Sequence, residues 1–180
     1  AASVEGATRE KIFIASTRKA TDTTGALFSE QRASTVGLAS VEVSIPPTHV
    51  IGKLERAVRM PPDPRTEFAV VDPTVYATEQ AFISAVNAEL AKRPKAERDV
   101  LVFVHGYNNT TSDAVLRSAQ FVHDSGYEGV VVLFDWASAG KLSRYVYDLN
   151  STLVARGLLA EIHSILQRTQ AENYDIFAHS

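Results

Sequence analysis

Three strand-length apolar runs constrain this chain more than anything else in it. They are Val100–Val104 (VLVFV), Gly129–Asp135 (GVVVLFD) and Tyr174–Ala178 (YDIFA). Each is too short to span a membrane, and the first two lack the polar alternation of a strand with one wet face. Such strands need cover on both sides, which is the signature of a parallel sheet between layers of helices. Helical stripes stand where that cover is needed. Phe82, Ile83, Val86 and Leu90 share a face ahead of Pro94; Val115, Ala119 and Val122 share another ahead of Gly126; Val154, Leu158, Ile162 and Ile165 form a third. The expected fold class is α/β, a doubly wound and mostly parallel sheet.

The first part of the chain is less regular. Lys11–Ser16 reads as a short strand and Val41–Ile45 as a half-buried one that stops at Pro46-Pro47. Thr17–Gly37, rich in Thr, Ser and Gly, reads as a loop, and Glu67–Val71 as a third strand. Asp72-Pro73, Ser112-Asp113 and Asn150-Ser151 read as helix starts. The expected organisation is one domain over 1–180, with a β-containing portion at 1–71 and βα units at 72–180.

Composition excludes several classes. Net charge is −3 and no Lys/Arg cluster occurs, so no nucleic-acid partner is expected. No transmembrane segment is expected either. Without cysteine there is no disulfide, thiolate metal site or thiol nucleophile. Ser138-Ala139-Gly140-Lys141 fails as a phosphate loop, because Asp135 stands where the first glycine belongs and Leu142 where Ser or Thr should bind magnesium. His49, His123 and His163 lack metal-ligand spacing, so no metal and no cofactor are expected.

The carboxyl ends of parallel strands are where functional groups gather. Here they carry His105-Gly106-Tyr107-Asn108-Asn109, Asp135-Trp136-Ala137-Ser138 and Ala178-His179-Ser180. Gly106 lets a loop turn sharply and aim peptide N–H groups into a cleft, as an oxyanion hole requires. Ala178-His179-Ser180 after a strand is the first half of a nucleophile elbow. Asp135 and Trp136 are expected to shape and pack the cleft edge, and Asn108 and Asn109 to tie their loop to itself.

Val102-Phe103-Val104-His105-Gly106-Tyr107-Asn108-Asn109-Thr110, Val132–Ser138 and Phe177–Ser180 together resemble the α/β-hydrolase superfamily. The chain is most similar to a bacterial group of esterase/lipase-like serine hydrolases, whose N-terminal portion is echoed by Ile14-Ala15-Ser16-Thr17-Arg18, Leu27-Phe28-Ser29 and Val43-Ser44-Ile45-Pro46-Pro47. The resemblance implies that Ser180 is the nucleophile and that His105 and Gly106 form the oxyanion loop, with the Tyr107 backbone N–H as donor. It implies a small acyl-ester substrate. The family's catalytic acid and histidine follow the nucleophile in sequence, so 1–180 is expected to be an incomplete hydrolase domain that needs the C-terminal remainder of the same protein as partner. The beginning Ala1-Ala2-Ser3 fits a removed export signal, with periplasmic residence one expectation and cytoplasmic the other. Two alternatives share the fold: a binding or scaffold protein without catalysis, and a thioesterase or amidase.

Overall fold

The computed structural model describes residues 4–21, 27–106, 109–137 and 159–179. Among the described residues, six strands form one sheet: β1 Thr8–Ala20, β2 Phe28–Ile45, β3 Ala69–Tyr76, β4 Asp99–Val104, β5 Val130–Asp135 and β6 Asn173–Ala178. Their order is β3-β2-β1-β5-β4-β6. β1, β5, β4 and β6 run parallel, and β2 is antiparallel to both β1 and β3. The helices are α1 Glu79–Ala91, α2 Thr111–Ser125 and α3 at 159–167. The class is the α/β sheet that the apolar runs predict.

Alternation along the strands builds two cores. Val130, Val132 and Phe134 face α1 and α3 together with Phe82, Val86, Ile162 and Ile165. Val131 and Leu133 face α2 together with Val115, Ala119 and Val122. All of β5 is buried. Helix ends follow local chemistry. Thr78 caps α1, its hydroxyl accepting from the Ala81 N–H. α2 begins slightly before the expected Ser112-Asp113: Thr110 is the cap, and Asp113 closes a reciprocal capping box three residues on. Gly126 ends α2 at φ 68°, a left-handed conformation that suits glycine.

Four expectations need correction. Thr17–Gly37 is not a loop: Thr17–Ala20 continues β1 and Phe28–Gly37 belongs to β2. Cross-strand pairing from Thr8↔Ile45 to Ala20↔Phe28, with register slips around Arg18, overrides the turn-prone composition. Asp72-Pro73 does not start a helix; both lie in β3. Pairing jumps there from Glu42↔Val71 to Ser40↔Thr74, so two residues oppose the single Val41. Such a bulge on an edge strand accepts a proline and an Asp72 at φ 49°. The strand expected at Glu67–Val71 therefore begins two residues later and runs on to Tyr76. Finally, Tyr174–Ala178 is a strand but not a buried one. β6 is the edge among the described residues, and Ile176 is 59% exposed. The expected helix start at Asn150-Ser151 and the stretch Ser138–Lys141 lie outside the described residues.

The parallel register aligns four strand ends. Ala15, Phe134, Val104 and Ala178 are successive partners across the sheet. The next positions along these strands are Ser16, Asp135, His105 and His179, which therefore gather at one carboxyl edge.

Candidate active site

The row just beyond those partners is organised around a carboxylate. Asp135 is fully buried at the end of β5. Arg18, only 1% exposed, donates from Nε to Asp135 Oδ1 at 2.9 Å. Ser16 and Thr111 donate hydroxyls to Asp135 Oδ2 at 2.9 and 2.7 Å. His105 Nε2 lies 3.2 Å from Oδ1. Thus β1, the loop after β4 and the first turn of α2 all converge on the side chain that ends β5. Burial alone would push the Asp135 carboxyl up; the Arg18 charge and the His105 and Thr111 contacts outweigh it and hold the group at about 2.

That pKa fixes a pH dependence. A carboxyl that titrates lower when folded contributes stability that is complete above its unfolded value of about 3.8 and drains away as pH falls towards about 2. The contribution is about 2 kcal/mol. Urea unfolding at stepped pH should show this acid limb in the parent chain. It should be flattened in Asp135→Asn; an identical limb in both proteins counts against the assignment.

The same network fixes the loop after β4. His105 is buried, and its ring stacks on Trp136 at 5.2 Å and 9°. Its Nδ1 lies 2.7 Å from the Gly106 carbonyl and its Nε2 3.1 Å from the Trp136 carbonyl. Trp136 returns a bond from Nε1 to the His105 carbonyl at 2.8 Å. Asn109 donates its side-chain amide to Gly106 O at 3.0 Å, while its own carbonyl accepts from Arg18 Nη2 at 2.6 Å. Beside it, the Ala137 N–H donates to Thr17 Oγ1 at 3.1 Å. Both flanks of the loop are thereby pinned. The His105 ring is committed to these contacts and is not free to serve as a general base.

β6 arrives directly beside this loop. The His179 N–H donates to the Val104 carbonyl at 2.9 Å, continuing the β4–β6 ladder past Ala178. The His179 ring lies on the α2 side of the sheet, stacked on Phe103 at 6.3 Å and 18°. The structure therefore brings His105, Gly106 and His179 to one edge. Tyr107 and Ser180 lie outside the described residues.

Reading the residues one by one misses part of the site. Ser16, Thr17 and Arg18 are buried polar residues at the end of β1, and Thr111 opens α2. Their signal is an arginine and two hydroxyls directly after an apolar strand, in the Ile14–Arg18 segment. Spacing likewise misses His49 and His123, whose rings the fold brings to 5.4 Å. His163 stands apart from them, paired with the Tyr174 hydroxyl.

No curated protein and no solved structure matches the chain. The family described as "Alpha/beta hydrolase of unknown function (DUF900)" matches residues 78–180, more than half of the length and the whole span from α1 to the residue after His179. With a mostly parallel, mixed sheet, helices on both faces and polar groups gathered at its carboxyl edge, the chain belongs to this α/β-hydrolase family.

Proposed function

We propose that the protein is a serine hydrolase that cleaves carboxylic esters or related acyl compounds through an acyl-enzyme on Ser180. The observation that carries this reading is the His179 N–H bond to Val104 O, because it sets the end of β6 against the start of the His105-Gly106 loop. Ser180 is the next residue in the chain. In a hydrolase elbow the nucleophile leaves its strand at that place, while N–H groups of the neighbouring loop receive the oxyanion.

In the proposed reaction, Ser180 Oγ attacks the acyl carbonyl as its proton passes to a histidine supplied after residue 180. The Tyr107 N–H and the N–H after Ser180 bind the oxyanion. Collapse expels the alcohol, which takes the proton from that histidine, and water then releases the acid and restores Ser180. The Arg18–Asp135 network takes no part in proton transfer; it holds the loop that carries the donor. An apolar cavity of about 230 Å³ between Ile14, Phe28, Val41 and Val115 opens beside Arg18 and Thr111.

Intact mass of the full-length protein after a fluorophosphonate tests the proposal. The expected result is one adduct, mapped to Ser180. Its absence in folded protein favours instead a binding or scaffold role on the same fold. Thioester and amide substrates are separated from esters by turnover on matched acyl series.

A further inference from the structure

Far from this edge, at the end of the sheet where the parallel strands begin, three side chains from two segments meet. His49 comes from the loop after β2, and His123 and Asp124 from the last turn of α2. Each brings one ligand atom to within 4.8 Å of the other two. Each residue also has a polar atom facing a group outside the trio. His49 Nδ1 lies 2.7 Å from Glu55 Oε2. His123 Nδ1 lies 3.5 Å from Glu10 Oε1. Asp124 Oδ2 accepts from the Gly52 N–H at 2.8 Å.

We propose that His49, His123 and Asp124 form a zinc-class divalent-metal site, with Glu55 and Glu10 orienting the two imidazoles. A ligating histidine characteristically gives its other ring nitrogen to a carboxylate, which fixes both tautomer and ring direction. His49 meets that condition through Glu55, and His123 Nδ1 has Glu10 Oε1 at an ion-pair distance of 3.5 Å. His49 Nε2 points at Asp124 Oδ1, 2.7 Å away, so a metal ion would take the place of the proton shared between them. Two imidazoles and one carboxylate, without thiolate, are borderline donors that favour zinc over magnesium or calcium. Tetrahedral ligands of one zinc ion stand about 3.4 Å apart. The His49–Asp124 pair, at 2.7 Å, must open by about 0.7 Å and the other separations close by up to about 1.4 Å; His123, the most exposed of the three at 28%, has room for it. Three protein ligands leave a fourth position for water. The ion would tie the loop at 46–55 to the end of α2 and leave the opposite edge of the sheet untouched.

Zn²⁺ titration of the untagged protein by calorimetry tests this. The expected result is one ion per chain and a rise in Tm of roughly 5–10 °C at a hundredfold excess over Kd. His123→Asn should weaken binding by more than about a hundredfold, and Glu55→Gln by about 10–100-fold. Co²⁺ should give a visible d–d absorbance that His123→Asn abolishes and His163→Asn leaves intact. Millimolar Mg²⁺ should not displace either ion. If the folded protein binds no stoichiometric Zn²⁺, the cluster is an ion-pair network and the proposal fails. It fails equally if His123→Asn and His49→Ala both bind as the parent does. Neither result bears on Ser180.

Discussion

Arg18→Met should lower the unfolding free energy by about 3–5 kcal/mol, the cost of leaving a buried carboxylate without its cation. Asp135 cannot reach water to compensate, since it is fully buried under β1, β4 and α2. Its hydroxyl partners Ser16 and Thr111 remain, yet neither carries charge. Asp135→Asn should be similarly costly, because it removes the carboxylate charge from the buried Arg18–Asp135 pair. The double variant Arg18→Met/Asp135→Asn should lose clearly less than the sum of the two. A coupling of about 2 kcal/mol in a urea double-mutant cycle is the expected size for a buried, hydrogen-bonded pair. A single-variant cost under about 1 kcal/mol, the range of surface pairs, would show that the network does not organise this edge.

Ser180→Ala should act on chemistry and leave stability alone. In the full-length protein, hydrolysis of a simple p-nitrophenyl ester should fall by on the order of 10⁶ in kcat, with the fluorophosphonate adduct lost and the urea midpoint unchanged. Residual turnover would come from binding and the oxyanion donors. The contrast with Arg18→Met separates a nucleophile from a positioning group: the first loses rate at constant stability, the second loses both. A Ser180→Ala protein that retains activity within tenfold of the parent removes Ser180 from the mechanism.

β4 and β5 were legible because they are buried on both faces, so their sequence is nearly pure Val, Leu and Phe. Val100–Val104 and Val130–Phe134 can do little else. The antiparallel half was obscured by function as much as by composition. Ser16 and Arg18 break the apolar pattern of β1 because they bond Asp135, Thr17 because it accepts from the Ala137 N–H, and a polar interruption looks like a strand end. β2 suffers likewise, since its Ser, Thr and Gly residues are held in a strand by pairing with β1 over a register no local window contains. Asp72-Pro73 carries a genuine helix-start signal; only its place on a bulged edge makes a strand of it. At the site, His105 and Gly106 were visible as a motif, whereas the reason for their fixed position lies about 90 residues upstream, at Arg18. The His49–His123 pair was invisible for the same reason. Metal-ligand spacing rules describe neighbours along the chain, and these two meet only after α2 has packed on the sheet.

The stacking of His105 on Trp136 carries a practical consequence. Trp136 is the only tryptophan in the chain, and it sits against the loop proposed to bind the oxyanion. The protein therefore contains its own optical reporter. Any event that shifts the His105-Gly106 turn must also change what the indole touches, so its emission follows that turn in real time without a label.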